Sequence, residues 1–269
     1  MCGDSAPKSP SAGTCPKDPV TGAIMPCPAC WNKDYEKEVY VENPAGRYSE
    51  DYDSSGANRR NYYSERKYKL YVPLKTGVDI TVEIRFKAVN VSGTAVTATD
   101  ISNAKTAMEA GISSNWNGKF TLEIDDPDCG KKQFPIKFKV KWVETGEHCT
   151  MNIHDTYARE GVTGLVMDVS KTTNAWTFAH EFGHSFGVPD EYGYVAGDNG
   201  TVKYYKPDGT LDAAISAPYN GKALTDADAT IMSANGCLTV LKRHGWPVAI
   251  EVKALLKTKL GREVKCDVI

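Results

Sequence analysis

Two histidines four residues apart, with a glutamate directly after the first, stand at His180-Glu181-Phe182-Gly183-His184, and the run continues Ser185-Phe186-Gly187-Val188-Pro189-Asp190. Residues four apart share one side of an α-helix, so both imidazoles can point at a single ion. A glutamate next to the first histidine falls beside such an ion rather than on it, where its carboxylate can take a proton from water. Gly187 suits the left-handed conformation that ends a helix and turns the chain back. That return brings Asp190 round as a third ligand, with Glu191 immediately behind it as the alternative. A tetrahedral zinc ion with three protein ligands keeps its fourth position for water, which is the arrangement of a hydrolytic centre. A carboxylate in place of a third histidine lowers the positive charge of the site. The water is then less acidified, and a pH optimum somewhat raised is expected.

The elements that must carry these groups are legible nearby. Thr172, Thr173 and Asn174 offer helix N-caps, and Trp176, Ala179, Phe182, Gly183 and Phe186 recur at helical spacing. The spacing predicts a helix with one face buried and the histidines fixed on a rigid platform.

The segment His180 to Asp190 resembles the extended zinc signature of the metzincin clan of metallopeptidases, with an aspartate in the third-ligand position as in snapalysin-like enzymes. A second feature carries the resemblance: Ile231-Met232-Ser233 follows Asp190 and is similar to the metzincin Met-turn, in which a methionine lies beneath the metal without ligating it. The resemblance is specific only over these two segments. It implies one catalytic Zn2+ held by His180, His184 and Asp190, peptide-bond hydrolysis with Glu181 as general base, and Met232 as a hydrophobic floor. It further implies an α+β, zincin-like fold: a twisted mixed β-sheet, an active-site helix, the Met-turn and a C-terminal helix. An edge strand that pairs with extended substrate belongs to the same picture, and by position it falls at about 149 to 154. Many metzincins carry a tyrosine two residues after the turn methionine, where this chain has Ala234. A phenol assisting the transition state must come from elsewhere, with Tyr192 and Tyr194 nearest in sequence. His154, at the end of the expected edge strand, is a further candidate contact or substitute ligand, while His148 and His244 read as packing or surface residues.

The chain has 269 residues and a formal net charge of −2, which gives no electrostatic case for nucleic acid. It has no apolar run long enough to span a membrane. Its first residues, Met1-Cys2-Gly3-Asp4-Ser5, lack the basic and apolar regions of a secretory signal, so a processed start or another export route is expected. Eight cysteines (Cys2, Cys15, Cys27, Cys30, Cys129, Cys149, Cys237 and Cys266) suit disulfides and a destination outside the producing cytoplasm. Local pairings Cys129–Cys149 and Cys237–Cys266 are expected. The four N-terminal cysteines, including the Cys27-Pro28-Ala29-Cys30 run, read as disulfide staples rather than as a second, structural zinc site.

Residues 1–66 are rich in Pro, Gly, Ser, Asp and Tyr and read as an irregular extension; 67–269 read as the catalytic domain, an upper subdomain to about 187 and a lower one over 188–269. Alternation predicts strands through Tyr68–Leu74, Ile80–Phe86, Phe120–Ile124, Phe134–Trp142 and 149–154, and a more buried strand at 164–169. Helices are expected at about 102–116 and along a C-terminal stripe of Val248, Val252, Leu255, Leu256 and Leu260. Lys137, Lys139 and Lys141 read as the solvated face of their strand. Three functional classes follow: an exported endopeptidase acting on protein or peptide substrates, a toxin or effector peptidase with a cognate inhibitor or immunity protein, and a catalytically silent binding module. The intact Glu181 disfavours the last.

Overall fold

Period-two alternation builds the frame of the molecule. A computed structural model describes residues 20, 30–42, 46–52, 65–192, 200–211, 215–217, 229–233 and 235–269. Its strands are β1 (Tyr35–Val41), β2 (Ser49–Tyr52), β3 (Arg66–Val72), β4 (Ile80–Asn90), β5 (Thr121–Asp126), β6 (Gly130–Trp142), β7 (Cys149–His154), β8 (Gly161–Thr163), β9 (Val166–Ser170), β10 (Gly200–Tyr204), β11 (Ile215–Ala217) and β12 (Lys265–Val268). The α-helices are α1 (Ala98–Asn115), α2 (Ala175–Ser185) and α3 (Lys242–Leu260). This is a mixed α/β fold dominated by one large mixed sheet.

That sheet has nine strands, with the path β12-β5-β6-β4-β7-β9-β8 and with β3 joining β1 to β4. The long strand β4 is its spine. Along one edge, Ile80 to Phe86 run parallel to Ile136 to Trp142 of β6. The other edge is shared end to end by β3, antiparallel at Thr81 to Glu83, and by β7, parallel at Phe86 to Asn90. Ile80, Val82, Ile84 and Phe86 are fully buried on one face, while Lys137, Lys139 and Lys141 are exposed on the other, the solvated lysine row that alternation predicts. A smaller sheet has the order β11-β10-β2.

The helices cover the buried face. α1 starts at a reciprocal cap, Thr97 Oγ1 accepting from the Asp100 N–H at 3.2 Å and Asp100 Oδ2 accepting from the Thr97 N–H at 2.8 Å. It meets α2 backbone to backbone: a Cβ on Gly111 would lie 2.1 Å from the Ala175 carbonyl oxygen. Below the two helices Trp116, Phe120, Phe138, Phe182 and Phe186 form an aromatic cluster, with the Phe138 and Phe186 rings 4.5 Å apart. Burying each phenylalanine of this kind contributes roughly 1.5–3 kcal/mol. The Trp116 indole N–H donates to the Ala179 carbonyl at 2.7 Å, which pins α2 to this cluster.

Three expectations are corrected. Residues 35–41 and 49–52 lie in strands rather than in an irregular extension: β1 pairs antiparallel with β3, and β2 with β10. Alternation was present at Val39 and Val41, but charged and tyrosine neighbours diluted it. The expected edge strand, β7, is internal, lying between β4 and β9; the sheet ends instead at the three-residue β8. The disulfide pairings also differ. Cys129 bonds Cys30, with Cα atoms 5.3 Å apart, while Cys149, Cys237 and Cys266 are free thiols. β6 and β7 flank β4, about 10 Å apart at two strand spacings, so Cys129 at the head of β6 lies beyond disulfide reach of Cys149 in β7. Cys266 is held in β12, against Ile124 of β5 at the far edge of the sheet. Cys237 sits by α2, its carbonyl accepting the Trp176 indole N–H. Cys2, Cys15 and Cys27 lie outside the described residues. Among the described residues no helix is long and apolar enough to cross a membrane.

Candidate metal centre

α2 begins where the chain offers a cap: the Asn174 side chain accepts from the Thr177 N–H at 2.9 Å. Phe178 through Ser185 are all buried, so the histidines project from a helix packed around most of its circumference. The helix ends in a Schellman arrangement. The Val188 N–H donates to the Gly183 carbonyl at 3.0 Å and the Gly187 N–H to the His184 carbonyl at 3.1 Å. Gly187 has φ of 113°, and a Cβ there would meet the Tyr48 ring at 2.7 Å, so no other residue fits the turn.

Both imidazoles are oriented by carbonyls. His180 Nδ1 lies 2.8 Å from the Ile231 oxygen and His184 Nδ1 2.8 Å from the Val188 oxygen. A carbonyl can only accept, so each Nδ1 carries the proton and each Nε2 can offer a lone pair. Asp190 Oδ1 sits 3.1 Å from His180 Nε2 and 3.3 Å from His184 Nε2. Tetrahedral zinc bonds near 2.05 Å place neighbouring ligand atoms about 3.3 Å apart, and Asp190 Oδ1 stands at that spacing from both nitrogens. Glu181 stands back from them, Oε1 3.9 Å from His180 Nε2 and Oε2 4.0 Å from His184 Nε2. The cluster His180, Glu181 and His184 is close enough to hold a metal ion. The separations favour the two histidines with Asp190 as the ligands and Glu181 as the neighbour.

Charge is concentrated here. Burial pushes the Glu181 carboxyl up, and the two histidines only partly offset it. Burial pushes the Asp190 carboxyl up as well, yet His184 and His180 outweigh it and hold Asp190 well below the carboxylate range. Burial alone would depress His180, but the Asp190 carboxylate outweighs it and raises the imidazolium to about 9. Two histidines gathered on one carboxylate form a donor set that a divalent cation fits.

Glu191, the alternative third ligand, is engaged elsewhere. It is buried and accepts from Tyr204 Oη at 2.9 Å, Thr230 Oγ1 at 2.6 Å, Arg243 Nε at 2.7 Å and Nη2 at 2.9 Å, and lies 3.1 Å from His244 Nε2. Met232 is fully buried beneath the helix; a Cβ on Gly183 would come within 2.9 Å of its sulfur. The turn that holds Met232 is tied to the site twice, through Ile231 O to His180 and through Met232 O, which accepts the Glu191 N–H at 2.9 Å. Tyr192 stacks on His180 with ring centroids 6.2 Å apart. Tyr194 and Ala234 lie outside the described residues. His154 is not brought to the donors: it pairs with Asp168 at 2.8 Å and stacks on Tyr157 at 4.3 Å. His148 and His244 are both buried, His148 against Glu38 and His244 against Glu191.

Sequence reasoning missed two participants. Trp176 stacks on His180 at 5.5 Å, forming a wall of the site that helical spacing alone marks only as an apolar position. Arg243 reaches Glu191 from 52 residues away, a pairing with no local signal. A cleft of about 900 Å³ lined by Tyr40, Arg47, Tyr205 and Ile250 shares no residue with this cluster. Comparison with protein-family models, curated proteins and solved structures finds no match to this chain.

Proposed function

We propose that the chain is a zinc-dependent endopeptidase. One observation carries the reading: Asp190 Oδ1 lies 3.1 Å from His180 Nε2 and 3.3 Å from His184 Nε2, with Glu181 oxygens 3.9 and 4.0 Å from the same two nitrogens. The likeness of residues 180–190 and 231–233 to the metzincin signature supports peptide over other substrates. The two Nε2 atoms and the Asp190 carboxylate would hold Zn2+. When bound, such an ion supplies Lewis acidity and lowers the pKa of a coordinated water.

The chain's own groups do the rest. Glu181 accepts a proton on its carboxylate from the attacking water and returns it to the departing amine nitrogen. Tyr192, stacked on His180, offers a phenolic O–H to the charge developing on the scissile carbonyl oxygen. Trp176, stacked on His180, shields one side of the site from water, which strengthens these polar contacts. The short strand β8, at the sheet edge and packed against α2, presents backbone groups with which an extended peptide can pair.

The test is metal content and hydrolysis of a protein substrate, for wild type and Glu181→Ala purified without chelator. About one zinc per chain in both, with hydrolysis lost only in the variant, is the expected result. A wild-type protein that takes up no zinc would overturn the reading.

A further inference from the structure

The segment after α2, residues 188–192, has no regular secondary structure, yet it must present Asp190 to within ligand distance of two histidines. It is anchored on both sides of Asp190. On one side Val188 is held by the helix-ending bond to Gly183 and by the His184 ring. On the other side stands Glu191, whose carboxylate gathers Tyr204 from β10, Thr230 from the methionine-bearing turn, and Arg243 and His244 from the start of α3. Its backbone N–H bonds to Met232 O. The same turn lends Ile231 O to His180, so one carboxylate connects the supports of the first and third donors.

We propose that Glu191 is a positioning residue for the metal centre: it clamps segment 188–192 to the turn and to α3, holding Asp190 at ligand distance before any ion arrives. The inference rests on the metal-centre reading above. A brace that served the fold alone would leave metal affinity unchanged, and this separates the two roles.

The experiment uses the full chain, with Zn2+ affinity by chelator competition, the visible absorption of the Co2+ form, and thermal unfolding of the metal-free protein. Glu191→Gln keeps the shape and removes the charge that Arg243 and His244 answer. It is expected to weaken Zn2+ binding about 10- to 100-fold, the usual effect of losing a group that orients a ligand, and to move the Co2+ spectrum toward that of Asp190→Asn. Tyr204→Phe removes a single hydroxyl from the clamp and is expected to shift affinity in the same direction by a smaller factor. If Glu191→Gln fails to fold, Tyr204→Phe decides. Unchanged Zn2+ affinity and an unchanged Co2+ spectrum in the variants that fold, whatever their unfolding temperature, would overturn the positioning role. A wild type that binds neither ion would overturn the metal centre itself, an outcome no Glu191 result can imitate.

Discussion

Gly183 shows how much a single missing side chain decides. It lies between the two histidines, on the helix face that rests on Met232 and Trp116, and a Cβ there would stand 2.9 Å from the Met232 sulfur and 3.0 Å from Trp116 Cζ2. Both neighbours are fully buried and have little room to retreat. The methionine-bearing turn also holds His180 through Ile231, so displacement of Met232 is transmitted to the first of the proposed metal donors. Gly183→Ala should therefore destabilise the fold by about 1–3 kcal/mol, as overpacking does, and weaken zinc binding at the same time. Denaturant titration alongside metal competition checks this; a variant of wild-type stability would show that the turn can move aside freely.

At the scale of the element, α2 is a short helix made rigid by its two ends and its packing. Its N-terminus relies on one side chain, Asn174, and its C-terminus on the Gly187 turn. Asn174→Ala should cost about 1 kcal/mol, the usual effect of losing such a cap, while zinc stoichiometry stays at that of the wild type. The donors lie toward the other end of the helix, secured by Trp116 and the 230–233 turn rather than by the cap. Thermal unfolding and metal analysis read the two effects separately. A loss of metal in this variant would mean that the whole helix frays as a unit.

At the scale of the molecule, the N-terminal part is tied to the C-terminal helix through Glu251. This buried carboxylate on α3 receives Lys37 of β1 at 2.6 Å, Tyr48 Oη at 2.8 Å, and Arg47. Burial alone would raise its pKa, but the bonds from Lys37, Tyr48 and Arg47 hold it below the ordinary carboxylate value. A carboxyl lowered in the folded state stabilises at pH above its unfolded value, about 4.3, and that stabilisation is lost as pH falls through the folded value. Stability should thus decline on acidification below about pH 4 to 5. Glu251→Gln should cost about 1–3 kcal/mol at neutral pH, less than a wholly buried pair because Lys37 and Arg47 are partly exposed, and should flatten the acid limb. Chemical unfolding across pH 3 to 7 measures both, and an acid limb as steep as that of the wild type would assign the loss to other carboxylates.

The geometry of residues 180–190 is legible in the chain because a helix converts spacing directly into direction: His180, Glu181 and His184 need only 3.6 residues per turn to face one point, and Gly187 needs only its own backbone freedom to bring Asp190 back. The inward faces of β3, β4, β5 and β6 are legible for the same kind of reason, since a period of two survives in one dimension. Contacts between distant segments leave no such local mark. That Glu191 is engaged elsewhere could not be read locally: Arg243 and His244 fold back from α3 to claim its carboxylate. The partner of Cys129 depended on the order in which β6, β4 and β7 lie in the sheet, and so did the change of edge from β7 to β8. Local periodicity belongs to the sequence itself. Which of two adjacent carboxylates, which cysteine and which strand edge take part is decided only when the packed molecule brings remote charges and backbones within a few ångströms of each other.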